Sequence, residues 1–152
     1  MATDNDKTVS TLNNLIETCK DGENGFRTAA EGIRNGELKT LFNTYSQQRA
    51  QFAAELQAEV RHLGSDPENS GSVAATLHRG WINIKSAVTG EDAGAIISEC
   101  ERGEDSAVKN YEDALKENLP INIRAIIEQQ LTQVKEAHNQ VRALERASSA
   151  NA

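Results

Sequence analysis

Three charged residues stand at positions where an amphipathic helix would bury them. At about 100° per residue, Glu104 falls inside the apolar stripe of the segment 93–119. Glu23 and Arg49 take equivalent positions in two earlier segments. A charge inside a protein core needs a partner, because its transfer from water is otherwise very costly. The sequence therefore predicts a charged site within the fold, held by an ion pair, a metal ion or water.

The same site gathers polar residues from several helices at one height. Glu23 lies 12 residues before the turn at Asn35 and Arg49 lies 14 residues after it, so these two side chains can meet. Glu104 and His138 are placed in a corresponding way about a second turn. The predicted buried polar network consists of Glu23, Arg49, Glu104, His138, Gln130, Tyr45 and Tyr111.

Three kinds of chemistry fit this network. In the first, Arg49 neutralises Glu23 and Glu104, with no catalysis and no cofactor. In the second, an oxidase or iron-handling protein binds iron or manganese through Glu23, Glu104, His138 and Glu101. In the third, Arg49 binds a small anion. Because Arg49 keeps its proton, it competes with a metal ion for the carboxylates, and the ion-pair network is favoured.

Other residues with ligand chemistry lie off the buried stripes or serve packing. Glu99 and Asp105 point away from the stripe that contains Glu104, and so does His62 from its own, although it ends a Glu-x-x-His motif. Trp81 is predicted to cover the core. No motif joins a serine or cysteine nucleophile to a histidine and an acid, and phosphate-loop and dinucleotide motifs are absent, so a non-catalytic protein is favoured over an enzyme.

The elements that must position these residues are helices. The hydrophobic periodicity predicts an all-α protein with a single domain over residues 1–152. The predicted long helices cover about 4–34, 37–63, 93–118 and 121–146, with a shorter helix at about 72–88. A helix of that shorter length carries the chain back along most of a bundle. This pattern indicates a ferritin-like four-helix bundle, with the short crossover helix between the second and third long helices.

Composition limits the partners and the compartment. The net charge is −7 and no basic cluster is present, which argues against nucleic acid and against an anionic membrane surface. No stretch approaches a membrane span, and the first residues lack the apolar core of a secretory signal. Cys19 and Cys100 both lie on apolar stripes and are expected to be reduced thiols. We expect a cytoplasmic protein that could self-associate into a homo-oligomer.

Three groups of residues also carry a resemblance to a known family. They are Glu99-Cys100-Glu101-Arg102-Gly103-Glu104-Asp105 followed by Tyr111, Leu77-His78-Arg79 with Trp81, and Leu38-x-x-Leu41-Phe42 leading to Arg49 and Phe52. They resemble a bacterial family of unknown function within the ferritin-like superfamily, over nearly the whole chain. The resemblance implies a ferritin-like four-helix bundle and no established activity.

The same resemblance extends to the rubrerythrins in one segment, where the ligands differ. The run Phe42-x-x-x-Ser46-x-x-Arg49-x-x-Phe52 is similar to a rubrerythrin segment whose last two marked positions are Glu and His. Arginine and phenylalanine cannot replace these ligands. The comparison therefore argues against ferroxidase, peroxidase and iron-storage chemistry, and implies a degenerate metal site.

Overall fold

The computed structural model describes residues 4–67 and 80–150. Within these residues the chain forms helices and no strand. The helices are α1 (Asp4–Gly32), α2 (Gly36–His62), α3 (Ile84–Thr89), α4 (Ala93–Ala114) and α5 (Ile121–Ala150). The prediction of an all-helical protein is confirmed for the described residues, and the four long helices lie where the periodicity placed them. Among them, α4 ends four residues earlier than predicted and α5 continues four residues further.

Local side-chain chemistry sets where the helices begin. The Asn35 side chain accepts a hydrogen bond of 3.0 Å from the backbone N–H of Leu38 and so caps α2. Asp92 caps α4 in the same way through the N–H of Ala95, at 3.1 Å. Pro120 stands just before α5, where its missing N–H removes no helical hydrogen bond.

The four long helices run antiparallel to the neighbours they contact. Asn110 of α4 donates a 3.0 Å hydrogen bond to Thr18 of α1, and seven residues later in α1 Gly25 lies across Trp81 from Gly103. The residue numbers rise in α1 as they fall in α4, so these helices are antiparallel. By the same reasoning α2 and α5 are antiparallel, since Tyr45 and Glu55 on α2 bond to Gln140 and Gln130 on α5.

The connection between α2 and α4 joins opposite ends of the bundle. The Asn5 side chain, at the start of α1, donates to the carbonyl of Leu63 just after α2, at 3.2 Å. Arg34, just after α1, lies 3.1 Å from Glu91, just before α4. Residues 63–92 therefore return the chain along the length of the bundle before the second pair of long helices begins.

The predicted helix at 72–88 differs from the observed structure. Residues 72–79 lie outside the described residues, 80–83 are not helical, and the described helix covers only Ile84–Thr89. Gly80 has φ of +98°, a left-handed conformation that interrupts a helix. This geometry inserts the buried Trp81 between Gly25 and Gly103, where added Cβ atoms would lie 2.3 and 2.1 Å from the ring. Trp81 thus packs in the core as predicted.

The interior has a polar layer between two apolar clusters. One cluster includes Leu12, Ile16, Leu56 and Ile127, and the other includes Phe26, Phe42, Trp81 and Ile96. Arg49 lies between the two clusters along α2, and Glu104 lies between them along α4. No helix within residues 4–67 and 80–150 combines the length and apolar character needed to cross a membrane.

Candidate functional site

The centre of the polar layer is an ion pair between Arg49 and Glu104. Nη1 of Arg49 lies 2.5 Å from Oε1 of Glu104, and Nη2 lies 2.7 Å from Oε2. Arg49 is 1% exposed and Glu104 is fully buried. The two hydrogen bonds satisfy both carboxylate oxygens in the bidentate geometry that is strongest between these side chains. Sequence reasoning placed these two residues together, and the structure brings them into contact.

The surroundings keep Arg49 charged. Its guanidinium carbon lies 5.5 Å from the centre of the Phe26 ring, and its Nε donates to the side chain of Gln48 at 3.2 Å. Burial alone lowers the pKa of Arg49, but the charge of Glu104 and its hydrogen bonds outweigh that effect and raise the pKa above its ordinary value. The interior cation is therefore permanent.

Glu23 does not join this pair, although the sequence predicted a network of three charges. Its side chain is partly exposed, and its carboxylate lies 3.7 Å from Lys20 on the same helix. The core-facing position at that height is Gly22, which leaves space for the stem of Arg49. A stripe from Cys19 to Phe26 fits Gly22 as well as Glu23, but a glycine leaves no mark in a pattern of apolar residues.

A chain of neutral polar groups runs beside the ion pair. The Tyr111 hydroxyl donates to the Gln130 side-chain oxygen at 2.6 Å and lies 3.1 Å from the sulfur of Cys19. The amide of Gln130 donates to Glu55 at 3.0 Å, near the surface. Burial raises the pKa of Tyr111 well above its usual value, so the phenol stays protonated. Tyr45 instead bonds to Gln140 and is separate from this chain.

His138 meets a different carboxylate from the one predicted. Its Nε2 is hydrogen-bonded to Asp105, and Glu101 stands one turn earlier on α4, 3.3 Å from Arg142. Potential ligand atoms of Glu101, Asp105 and His138 all lie within 4.8 Å of one another, and this is the one group of three such side chains found among the described residues. The predicted ligand set of Glu23, Glu104 and His138 is thus divided among three places.

Glu99 is buried, whereas the sequence predicted that it points away from the core. It is 3% exposed, and its carboxylate accepts a 3.1 Å hydrogen bond from the backbone N–H of Asn83 and a 2.6 Å ion pair from Arg102. The helical pattern placed it outside the four-helix core correctly, but the chain before α3 covers that face. Glu99 therefore attaches the connection to α4.

The family comparison follows this geometry. Residues 7–117 match the model of a family described as "Domain of unknown function (DUF2383)". The chain belongs to this family. No curated protein matches the chain. The DUF2383 match includes both partners of the buried ion pair, whereas it ends before α5, which carries Gln130, His138 and Arg142.

The DUF2383 domain and α5 together form a groove lined by amides. It lies between α2 and α5 and has a volume of about 470 Å³. Its lining residues are Thr44, Gln47, Gln48, Gln51, Phe52, Glu55, Ile126, Gln129, Gln130 and Gln133. Glu55 is the one charged residue in this lining, although the whole chain carries −7. The groove thus offers neutral groups that both donate and accept hydrogen bonds.

Sequence reasoning missed Gly22, Asp105 and the glutamine groove for separate reasons. Gly22 carries no side chain to be counted. Asp105 was assigned to the surface, where it does lie, but its partner His138 reaches the same edge from α5. The repeated glutamines of the α2 and α5 segments were a visible signal, since both segments place them off the apolar stripe.

Proposed function

We propose that the protein is a non-catalytic ferritin-like bundle with a degenerate metal site, and that it acts by self-association. Two features support the ferritin-like assignment. The two antiparallel pairs of long helices are joined by a connection that links opposite ends of the bundle, which is the arrangement of ferritin-like folds with one crossover. The ligand-poor segment around Arg49 also resembles the rubrerythrin segment described above.

The observation that carries the proposal is the Arg49–Glu104 pair. A di-metal bundle needs acidic ligands at this depth. Glu104 supplies one, but both of its oxygens bond to a buried guanidinium at 2.5 and 2.7 Å. A metal ion entering here would have to displace a cation that cannot lose its proton and would then lie buried without a partner. The protein therefore supplies its own interior cation.

The glutamine groove supports self-association by a second copy of this chain. Two molecules that each carry −7 repel one another, so contact is most favourable where local charge is lowest. A two-fold interface must also be complementary to itself. Amide side chains meet this requirement because each can donate to and accept from an identical group, whereas like charges repel.

Ferrous iron under air tests the non-catalytic assignment. We expect wild-type protein purified without chelator to oxidise Fe²⁺ no faster than the paired variant Arg49→Met/Glu104→Leu, which removes both interior charges. Saturable oxidation that the paired variant abolishes would refute a degenerate interior site. Oxidation that depends on Asp105 would refute the non-catalytic assignment while locating the chemistry outside the interior pair.

Sedimentation velocity over a range of protein concentrations tests self-association. We expect a wild-type dimer, and at least about tenfold weaker association in Gln51→Glu/Gln129→Glu, since like charges would then face each other across the groove. Asn139→Asp adds a charge on α5 outside the groove and serves as the control. A monomeric wild type, or equal association in all three proteins, would contradict the proposal.

A further inference from the structure

A second site lies on the outer edge of the bundle, between α4 and α5. We propose that Glu101, Asp105 and His138 bind a divalent transition-metal ion, of which Zn²⁺ is the representative, and that Arg142 occupies this site when the ion is absent. This inference goes beyond self-association and does not depend on the state of the interior ion pair.

The helices preorganise the three ligands. Glu101 and Asp105 are four residues apart on α4 and so stand on one face, one turn from each other. His138 reaches them from α5, with Nε2 already bonded to a carboxylate oxygen of Asp105. One ligand atom from each of the three lies within 4.8 Å of the others. A metal ion with bonds of about 2.0 to 2.2 Å fits among ligand atoms at such separations.

Burial of the ligands differs in a way that suits a metal site. The His138 side chain is 11% exposed and that of Glu101 is 17% exposed, so both are fixed by packing. The Asp105 side chain is 54% exposed, which leaves a route from solvent. Two carboxylates and one imidazole form a set that binds Zn²⁺ with a further position free for water. The imidazole favours Zn²⁺ over Mg²⁺, which prefers oxygen ligands.

Arg142 provides the cation in the metal-free protein. Its Nε lies 3.3 Å from Glu101, and its Nη2 lies 4.0 Å from Asp105. Unlike Arg49, it is 44% exposed and can turn to solvent without leaving a buried charge. Metal binding therefore costs much less here than at Glu104, whose guanidinium partner is buried. Arg142 should weaken metal binding without preventing it.

Calorimetric titration of the full chain with Zn²⁺ tests this site, with Mg²⁺ as the comparison ion. We expect one Zn²⁺ per chain, with at least about tenfold weaker binding in Asp105→Asn and in His138→Gln, because even the loss of an outer-shell partner costs about 10- to 100-fold. Arg142→Gln should bind Zn²⁺ more tightly than the wild type, since the competing cation is gone. Mg²⁺ should bind more weakly than Zn²⁺ to the wild type.

The control is Glu112→Gln, which removes an α4 carboxylate paired across the helices to Lys135 at 3.5 Å. It should leave Zn²⁺ binding unchanged. Absence of Zn²⁺ binding to the wild type and to Arg142→Gln would overturn the proposal. Equal affinity of wild type, Asp105→Asn and Glu112→Gln would also overturn it, since the binding would then lie elsewhere. Asp105 is exposed, so its variant should fold, and circular dichroism verifies this.

Discussion

Gly22 of α1 lies directly against the side chain of Arg49 of α2. A Cβ atom added to Gly22 would be 3.2 Å from Cγ and 3.3 Å from Nη1 of Arg49. The glycine thus makes room for the stem of a long side chain whose head is held by Glu104. This relationship explains why one acid, rather than two, pairs with the buried arginine: Glu23, the next residue, is turned to the flank.

Removal of one partner of the buried pair should be far more costly than removal of both. Arg49→Met leaves Glu104 as an uncompensated buried charge, and we expect a loss of about 3 to 5 kcal/mol in the free energy of unfolding. Arg49→Met/Glu104→Leu replaces the pair by apolar groups of similar size and should recover most of this loss. Urea denaturation of both variants measures the difference.

An exposed ion pair supplies the comparison. Arg34→Ala breaks a pair with Glu91 in which both side chains are largely exposed, and it should change stability by no more than about 1 kcal/mol. If Arg49→Met changed stability as little as Arg34→Ala does, the buried pair would not be the centre of the fold.

The contact of Trp81 with two glycines gives a prediction about packing. Gly103→Ala would place a Cβ atom 2.1 Å from the Trp81 ring, so the ring must shift and we expect a loss of about 1 to 3 kcal/mol. Trp81 is the single tryptophan of the chain, and its fluorescence should report the shift. Gly36→Ala is the matched control, because its added Cβ has nothing within 4 Å. Equal stability of both variants would contradict the insertion.

How much the sequence could predict depends on where each residue's environment comes from. The long helices and the burial of Arg49, Glu104 and Trp81 follow from periodicity, which each segment carries by itself. The partner of His138 does not, because it depends on the rotation of α5 relative to α4. Glu99 was misjudged for a related reason: a connection outside the four-helix pattern covers it.

Glu99 should hold the connection against α4. Glu99→Ala removes the acceptor for the Asn83 N–H, and we expect a loss of about 1 to 3 kcal/mol together with greater acrylamide quenching of Trp81. Glu99→Gln keeps a side-chain oxygen at this position and should retain more of the stability. Quenching that is the same in wild type and Glu99→Ala would show that the connection is attached by other contacts.

The buried thiols should be unreactive in the folded protein. Burial raises the pKa of Cys19 to about 11, against the opposing effect of its hydrogen bond to Tyr111. Burial also raises the pKa of Cys100 well above its ordinary value. Because the thiolate is the reactive form, we expect Ellman's reagent at pH 8 to modify neither cysteine until denaturant is added. Rapid modification of native protein would contradict this packing.

The same shift predicts a loss of stability at high pH. The pKa of Cys19 rises from 9.0 in the unfolded chain to about 11 in the fold, so its contribution is complete below about pH 9 and is lost as the pH rises toward 11. Two pKa units correspond to about 3 kcal/mol. Urea denaturation at pH 8 to 11 should therefore show a smaller fall in unfolding free energy for Cys19→Ala than for the wild type. Some fall should remain in the variant, because burial also raises the pKa of Tyr111. Identical pH profiles would mean that the thiol is not buried beside Tyr111.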